Sequence, residues 1–485
     1  MLFNSFEFAV FLPVVFLIYW FALQKHLKLQ NLFIVAVSYL FYGWWDWRFL
    51  LLIAFTTLCS YLSGVLIQKS DNKEVTPPLH CRNYAKWIAT ANIVLNLAIL
   101  CLFKYFNFFS ENLAQLFRLF GAELDWVTLD ILLPVGISFY TFQALSYTID
   151  VYKKKIEPTH DVVSFFAYVS FFPQLVAGPI ERATNLLPQF YKSRTFDYAK
   201  AVDGMRQILW GLFKKIVVAD NAATAVNEIF NNYSDLNGST LLLGGVLFAF
   251  QIYGDFSGYS DIAIGTARLF GIDLMRNFNF PYFSRDIAEF WRRWHISLNT
   301  WFRDYIYIPL GGSRRGTKIA IRNTFVIFLV SGFWHGANWT FIAWGAFHAV
   351  LFLPLLLLKK NRKFTDTVAQ SRWYPTVGEL LNMGVTFFLV VIGWIIFRSD
   401  NITQAYDYLS HMFSASFFTM PVLMGKKALL FIVMLVVVEW VGRRNQHALS
   451  KMPKNIALRW FIYILIVWLI LEFAGQQGAF IYFQF

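Results

Sequence analysis

The sequence predicts an all-α, polytopic integral membrane protein with about twelve transmembrane helices, plus re-entrant and interfacial helices. Its 485 residues are 57% hydrophobic, 20% aromatic and 15% charged, whereas a soluble domain carries about 25% charged residues. One soluble core cannot bury that much apolar surface. Long apolar runs also alternate with short basic loops along the chain. Together these observations exclude a soluble multidomain protein, a disordered chain and a disulfide scaffold.

The apolar runs place the predicted spans, because a helix needs about 20 mostly apolar residues to cross the hydrocarbon core. They lie near residues 6–22, 30–43, 48–67, 87–109, 131–150, 207–221, 240–266, 320–334, 337–358, 379–397, 428–442 and 456–474. The shorter runs are expected to tilt or to extend into their flanks. The run 161–180 ends at Gly178–Pro179 and predicts a re-entrant segment, whose broken backbone needs a cover of protein or water.

The distribution of basic residues predicts the orientation. They gather in the loops Lys25–Lys28, Lys69–Lys86, Lys153–Lys155, Arg182–Arg206, Arg268–Arg322, Lys359–Arg372 and Arg443–Arg459. With these loops in the cytoplasm, both termini lie on the outer, periplasmic side. The formal charge of +13 is then accounted for by cytoplasmic loops that face anionic membrane lipid, and no nucleic-acid partner is expected. We expect a single transmembrane domain over residues 1–485.

Residues 269–318 are the least membrane-like part of the chain, and we expect them to be cytoplasmic or interfacial. Around Phe290–Phe302, aromatic and aliphatic residues interleave with Arg292 and Arg293. This pattern predicts an interfacial helix with its rings at the level of the lipid headgroups. Contact between the two arginines and lipid phosphate is one interpretation of the pattern.

Three histidines stand in positions that favour chemistry. An ionisable group at membrane depth is a functional candidate, because burying it is costly. His335 lies at the junction of two apolar runs, between Gly332 and Gly336, where a substrate could approach the backbone closely. The alternative for His335 is a hydrogen-bonded core histidine, and that alternative is favoured for His348. His295 follows the sequence WRRW.

Other chemistries fit the sequence poorly. It has no HExxH, CxxC or GxSxG motif, and we expect no metal. The glycines of GGSRRGTK at 311–318 precede Thr317 and Lys318 in the wrong order for a nucleotide-binding loop, so a basic turn is predicted. Asp255 and Asp261 lie in a glycine-rich apolar run, which predicts a helix break at a polar cavity. A transporter that couples ions through these two carboxylates is the rival functional class.

Three long segments resemble a known family. They read QIYGDFSGYSDIAIG, RNFNFPYFSRDIAEFWRRWHISLNTWFRDYIYIPLGG and FWHGANWTFIAWGAFH. The sequence resembles the membrane-bound O-acyltransferase (MBOAT) family, in the bacterial branch that contains the alginate O-acetyltransferase membrane subunit. The stretches MLFNSFEFAVFLPVVFLIYW, LLPVGISFYTFQALSYTIDVY and SFFPQLVAGPIER resemble it as well, so the similarity covers nearly the whole chain.

The resemblance implies an activity. Members of the family move an acyl group from a cytoplasmic donor, here expected to be acetyl-CoA, to a hydroxyl acceptor. In this branch the acetyl group crosses the bacterial inner membrane and modifies an envelope or secreted polysaccharide. An extracytoplasmic acetyltransferase or other polysaccharide-modifying partner completes the transfer.

The resemblance also implies site residues. The family's histidines fall on His335, in the WHG triplet, and on His295. A general base such as His335 contributes about 10²–10⁴ in rate. Binding of donor or acceptor is expected of Arg292, Arg293, Asp255, Trp334 and Asn338.

The last residues, GAFIYFQF, allow two interpretations. By composition they predict an interfacial anchor. They also resemble a tail motif of this branch, which in the related teichoic acid D-alanylation system lies on a separate small peptide. That resemblance makes 475–485 an extracytoplasmic tail with Tyr482 as an acyl relay. The acceptor stays open, with peptidoglycan or cellulose, or D-alanyl transfer to teichoic acid, as alternatives.

Overall fold

The computed structural model describes residues 1–71, 79–121, 128–129, 131–176, 178–475, 478 and 480–481. Within these ranges the chain forms helices, turns and loops, and no strand, which confirms the all-α prediction. Contacts divide the chain into two compact units. The first unit comprises Met1–Ala201 with Thr266–Met275, and the second comprises Val202–Gly265 with Arg276–Phe485. A single domain stays a prediction.

The helices of the first unit follow the predicted apolar runs. They are α1 (Phe6–Leu17), α2 (Leu27–Gly43), α3 (Arg48–Asp71), α4 (Leu79–Leu100), α5 (Phe106–Leu119), α6 (Ile137–Tyr152), α7 (Val162–Ser170), α8 (Phe172–Leu175) and α9 (Ala183–Leu186). Short π-helical stretches prolong α1 and join α4 to α5. The predicted re-entrant run contains α7 and α8, which are nine and four residues long. Neither is long enough to cross about 30 Å of hydrocarbon.

The second unit holds the remaining helices, although α10 begins and α12 ends in the first unit. They are α10 (Tyr198–Leu212), α11 (Asp220–Asn231), α12 (Gly238–Leu269), α13 (Ile287–Arg293), α14 (Ile296–Phe302), α15 (Thr317–His335), α16 (Trp339–Leu357), α17 (Val377–Arg398), α18 (Ile402–Met412), α19 (Lys426–Gly442) and α20 (Ile456–Phe473). A π-helical stretch, Phe213–Ala219, runs from α10 into α11.

Six helical stretches of the described residues are long and apolar enough to cross a membrane. They are Arg48–Ser70, Tyr84–Leu119, Gly238–Leu269, Trp339–Leu357, Val377–Arg398 and Ile456–Phe473. The α20 stretch is only 11% buried, whereas the α12 stretch is 78% buried. The protein is therefore a membrane protein with several apolar helices, among which α12 is far more buried than α20. The total of twelve spans and the orientation stay predictions.

The predicted break in α12 is wrong, because α12 is one continuous helix over its glycine-rich part. A Cβ atom on Gly258 would lie 2.8 Å from the carbonyl oxygen of Gly211 in α10. A Cβ on Gly254 would lie 2.9 Å from the carbonyl oxygen of Lys214. The glycines therefore let two helix backbones touch, as small residues do in membrane helix pairs.

The stretch predicted as one interfacial helix around Phe290–Phe302 is two helices. α13 ends at Arg293, and α14 begins at Ile296. His295 lies between them with φ 44° and ψ 54°, a left-handed conformation that is uncommon for a residue with a side chain. Phe290 and Trp294 are each only 1% exposed, so these rings belong to the core and not to the headgroup layer. The interfacial prediction fails because tertiary contacts bury this face.

Candidate active site

His335 is the last residue of α15, at the tip of a hairpin made by α15 and α16. The chain then extends through Gly336, and Asn338 caps α16 by accepting a hydrogen bond from the Thr340 backbone N–H at 3.1 Å. The Asn338 amide also donates to the backbone oxygen of Asp400 at 2.8 Å. Asn338, predicted to bind substrate, thus fixes the turn that holds His335.

Glycines bring the two helices of the hairpin into contact. A Cβ on Gly332 would lie 2.2 Å from the backbone oxygen of Phe341, and one on Gly345 would lie 2.3 Å from that of Phe328. A Cβ on Gly336 would meet the ring of Phe341 at 2.1 Å. The expectation that Gly332 and Gly336 leave room for substrate is therefore wrong, since protein atoms fill both positions.

The His335 imidazole lies inside an aromatic box and is only 4% exposed. Its ring centroid is 5.0 Å from that of Trp334, 5.2 Å from that of Trp344 and 5.5 Å from that of Phe397. Three large rings exclude bulk water from the imidazole. Such exclusion strengthens electrostatic interactions and prevents hydrolysis of a reactive ester.

His295 lies beside His335, because the Trp334 ring contacts both histidines. His335, His295 and Trp334 are called the histidine cluster below. The centroids of His295 and Trp334 are 6.0 Å apart. His295 Nδ1 lies 3.1 Å from Asn277 Oδ1, and the Asn277 amide nitrogen donates to Ser260 Oγ at 3.1 Å. This orientation of the amide makes Oδ1 the acceptor, so Nδ1 of His295 carries the proton. Asn277 thereby stabilises the left-handed backbone at His295 and fixes its tautomer.

Burial sets the charge of His295. The residue is 1% exposed, and loss of hydration lowers the pKa of its imidazole to about 3. A desolvated histidine is disfavoured in its charged form. His295 is therefore neutral at physiological pH and can offer directed hydrogen bonds but not a positive charge.

A cleft of about 700 Å³ opens beside the hairpin. Its walls carry four cationic side chains: Arg292, Arg303, Lys359 and Arg362. Its lining also includes Trp291, Phe328 and Ser331, and Ser331 lies one helical turn before His335. Cationic and apolar walls in one cleft suit a ligand that carries both phosphate groups and a narrow apolar chain. The turn predicted at 311–318 contributes Ser313, Gly316 and Thr317 to the wall.

The neighbouring arginines have different surroundings. Arg292 is exposed, lines the cleft and donates to the backbone oxygens of Asn361 and Phe364 at 2.6 Å and 2.5 Å. Arg293 is 7% exposed and donates to Glu289 at 2.8 Å and to the Asp366 backbone oxygen at 2.8 Å. Both arginines therefore hold the loop at 361–366, and only Arg292 also lines the cleft.

Asp255 faces a lysine and the end of the chain. Lys215 Nζ lies 2.9 Å from Asp255 Oδ1 and 2.8 Å from Asp220 Oδ1. Asp255 Oδ2 accepts a hydrogen bond from the Ile481 backbone N–H at 2.7 Å, and Lys215 donates to the Gly478 backbone oxygen at 3.1 Å. The tail segment, described at residues 478, 480 and 481, is thus held by buried charges. Tyr482 itself lies outside the described residues.

Ring contacts connect this tail segment with His295. Phe480 is 0% exposed, and its ring centroid is 4.2 Å from that of Tyr259 and 6.3 Å from that of Phe256. Phe256 in turn packs edge-on against His295 at 4.6 Å. Phe480 is therefore a buried core residue, separated from His295 by the Phe256 ring, and is not an interfacial anchor.

His348 has the surroundings of a core residue. It is 0% exposed, and its ring centroid lies 4.9 Å from that of Trp291 and 5.2 Å from that of Trp344. Neither ring nitrogen has a hydrogen-bond partner among the described residues. This sealed position agrees with the core interpretation that the sequence favours.

Sequence reasoning missed Asn277 and Lys215. Asn277 carries no local signal, since it acts on His295 from 18 residues away in the chain. Lys215 did carry a signal: it interrupts an apolar run next to Lys214, and a charge at that depth needs a partner.

The helical membrane body thus holds a buried histidine pair beside a cationic cleft, an arrangement typical of a membrane enzyme. Residues 39–397 match the family described as MBOAT, membrane-bound O-acyltransferase family. The chain belongs to this family and is an O-acyltransferase.

Similar proteins cover most of the chain. It is 38% identical over 466 residues to the probable alginate O-acetylase AlgI of Pseudomonas aeruginosa, covering 94% of this chain and 85% of that protein. It is 36% identical to the probable alginate O-acetylase AlgI of Pseudomonas putida, with 100% of both chains covered. A peptidoglycan O-acetyltransferase of Helicobacter pylori is 34% identical, covering 85% and 80% respectively.

Proposed function

We propose that the protein moves acetyl groups from cytoplasmic acetyl-CoA across a bacterial inner membrane to hydroxyl groups of an alginate-like polysaccharide. The observation that carries the proposal is the position of His335 and His295 on the Trp334 ring, one helical turn beyond the lining of a cationic cleft. The similar alginate O-acetylases support the acceptor class. The basic loops support an outer position for both termini, where an extracytoplasmic partner would complete the transfer.

The cleft is the proposed donor site. Arg292, Arg303 and Arg362 offer charge-assisted hydrogen bonds to the phosphates of acetyl-CoA. The apolar lining then directs the acetyl thioester towards Ser331 and the helix turn of His335. Acetyl-CoA supplies an acetyl group that is activated as a thioester.

His335 is the proposed general base. Its imidazole accepts the proton of an acceptor hydroxyl, whose oxygen attacks the thioester carbonyl carbon. A C–O bond forms, the C–S bond breaks, and the imidazolium returns the proton to the departing thiolate. His295 is neutral, so it orients the acceptor by hydrogen bonding and does not neutralise the donor's phosphates.

Tyr482 is the proposed relay. It is the acceptor hydroxyl of the step above: His335 takes the phenol proton, the phenol oxygen bonds to the acetyl carbon, and coenzyme A leaves as the thiol. A hydroxyl of the partner or polymer then attacks the tyrosyl ester, and its proton returns to the phenol as the ester C–O bond breaks. A phenol of pKa near 10 leaves more readily than an alkyl alcohol, so a tyrosyl ester keeps the acetyl group activated. The burial of the preceding Phe480 and Ile481 supports this role, because it anchors the chain next to the histidine cluster.

A transfer assay in proteoliposomes tests the proposal. Radiolabelled acetyl-CoA is supplied on the side of the basic loops, and covalent label on the protein is measured after denaturation. We expect wild type and Tyr198→Phe, a change at an exposed tyrosine, to acquire alkali-labile label. We expect Tyr482→Phe and His335→Ala to remain unlabelled. Full polymer acetylation with Tyr482→Phe would refute the relay.

The acceptor can be decided with the same vesicles. The similarity to a peptidoglycan O-acetyltransferase makes peptidoglycan the second candidate. Cellulose, or D-alanyl transfer to teichoic acid, would extend the same chemistry. Alginate oligosaccharides and peptidoglycan fragments are offered in parallel, together with the extracytoplasmic partner. Label that appears only on peptidoglycan would overturn the alginate-like acceptor and leave the acyl-transfer chemistry intact.

A further inference from the structure

The first unit contains a cavity of its own, of about 280 Å³. Its walls come from the segment 189–200, from Trp20 and from residues 268–271. The side chains that give it chemistry are four cations, Lys192, Arg194, Lys200 and Arg268, and two hydroxyl groups, Ser193 and Thr195. The cavity is therefore basic and rich in hydrogen-bond donors.

Arg194 is the decisive residue. It is only 6% exposed, and its Nη2 donates to Asn31 Oδ1 at 2.5 Å. Its Nε and Nη1 atoms have no hydrogen-bond partner among the described residues. The guanidinium carbon lies 5.6 Å from the Tyr19 ring centroid and 5.7 Å from that of Phe190, so aromatic faces hold it in place. A buried charge with two unsatisfied donors is costly unless a hydrogen-bond acceptor completes its shell, and an anion also balances the charge.

The cavity is preformed. The Trp20 indole donates to the Leu269 backbone oxygen at 2.9 Å. Gln189 donates to the Asp273 backbone oxygen at 2.9 Å and accepts from its N–H at 2.8 Å. These bonds join the two wall segments without using Arg194. A ligand would find the donors already in position.

Carboxylates satisfy only part of the positive charge. Asp197 lines the cavity and accepts from the Lys200 backbone N–H at 3.1 Å, while the Lys200 ammonium pairs with Asp273 at 3.0 Å. Among the described residues, no carboxylate is paired with Arg194 or Lys192. The net positive charge therefore points to an anionic ligand.

We propose that this cavity binds the phosphate group of an anionic phospholipid. Its volume is below the roughly 300–1,000 Å³ of sites for drug-sized ligands, so a headgroup fits better than a nucleotide. Phe196 lines the cavity and is 44% exposed, which offers apolar surface to the lipid chains. Basic pockets on the cytoplasmic side of membrane proteins recognise such headgroups. The site is independent of the acyl-transfer mechanism.

Native mass spectrometry of the purified full-length protein tests the site. Phosphatidylglycerol and phosphatidylcholine with identical acyl chains compete for the protein. We expect wild type to retain phosphatidylglycerol selectively. Lys192→Gln should weaken the affinity for phosphatidylglycerol about five-fold, since one surface cation contributes about 1 kcal/mol to binding an anionic lipid. Arg194→Gln should lower it more than ten-fold, because its buried charge is lost.

Controls separate this site from general attraction. Lys454→Gln removes the same charge from another basic loop at an exposed position and should leave retention unchanged. Equal retention by wild type and Lys192→Gln would overturn the proposal, even if Arg194→Gln does not fold. Displacement of the lipid by millimolar inorganic phosphate would also overturn it, and would assign the cavity to a soluble phosphate compound.

Discussion

At the scale of single residues, two buried histidines in one hairpin have different surroundings. His335 ends a helix and shares Trp334 with His295, whereas His348 lies in mid-helix inside a cage of rings. Both lie in apolar sequence, so hydropathy alone cannot separate them. The WHG pattern singled out His335, and packing then accounts for His348.

The first prediction compares these two histidines. His335→Ala should reduce acetyl transfer per folded protein by about 10²–10⁴, the contribution of a general base, and the cavity left among the three rings should also lower the thermal unfolding midpoint. His348→Leu places an apolar side chain of similar volume in the same ring cage and should retain most activity. The measurement is acetyl transfer per folded protein in detergent. Equal losses in both variants would argue against His335 as the base.

The second prediction concerns pH. The pKa of His295 is about 3 in the folded protein and about 6.5 in an unfolded chain. Since the unfolded state binds the proton first, this residue's stabilising contribution is complete above pH 6.5 and falls as the pH drops towards 3. His295→Asn, which tolerates the left-handed backbone, should flatten the fall of the unfolding midpoint between pH 6.5 and 4.5.

The exposed His26 provides the control. His26→Gln should leave the pH dependence of the midpoint as in wild type. An unchanged slope in His295→Asn would show that His295 is not protonated preferentially in the unfolded state.

At the scale of helices, apolar runs predict where elements lie better than how they pack. The sequence predicts a span near 379–397, and α17 covers Val377–Arg398. The prediction of one helix around Phe290–Phe302 is wrong because Asn277 stabilises the break at His295. Asn277 lies 18 residues away in the chain, so no local window contains this contact. The predicted break in α12 is wrong for the opposite reason. The glycines are typical of a helix break, but here they allow close contact between α12 and α10.

The third prediction tests the hairpin. Gly332→Ala places a methyl group where a backbone oxygen of Phe341 lies, and overpacking of this kind costs about 1–3 kcal/mol. We expect a lower unfolding midpoint and reduced transfer, because the hairpin tip moves His335. Gly384→Ala in α17 is the matched control, since nothing lies within 4 Å of its Cβ. If both substitutions are neutral, close packing at Gly332 does not position the site.

At the scale of the whole molecule, composition and charge predicted a helical membrane body, and the structure confirms that class. They did not predict how the body tolerates buried charge. Lys215 joins two carboxylates and the tail segment, with its side chain 1% exposed. Pairing across helices is a tertiary property, so it cannot be predicted from the position of each charge in the chain.

The fourth prediction tests what holds the tail segment. In a protein whose three native cysteines are changed to serine, Ile481→Cys reports access to a maleimide reagent. Asp255→Asn replaces the charged acceptor of the Ile481 N–H with a neutral one. Because the weaker hydrogen bond lets the segment open more often, labelling should accelerate at least ten-fold. Asp235→Asn, an exposed carboxylate, should label at the wild-type rate. Unchanged labelling with Asp255→Asn would mean that packing of Phe480 alone fixes the segment.

The ion pair between Lys214 and Asp261 constrains which substitutions related sequences can accept at these two positions. Their side chains are 3% and 16% exposed, and 2.5 Å separates ammonium nitrogen from carboxylate oxygen. Removing either partner strands the other charge in a poorly hydrated place, at a cost of about 3–5 kcal/mol, whereas replacing both by apolar groups is often neutral. Related sequences that lack this lysine should therefore lack the aspartate as well, so the two positions should covary across the family.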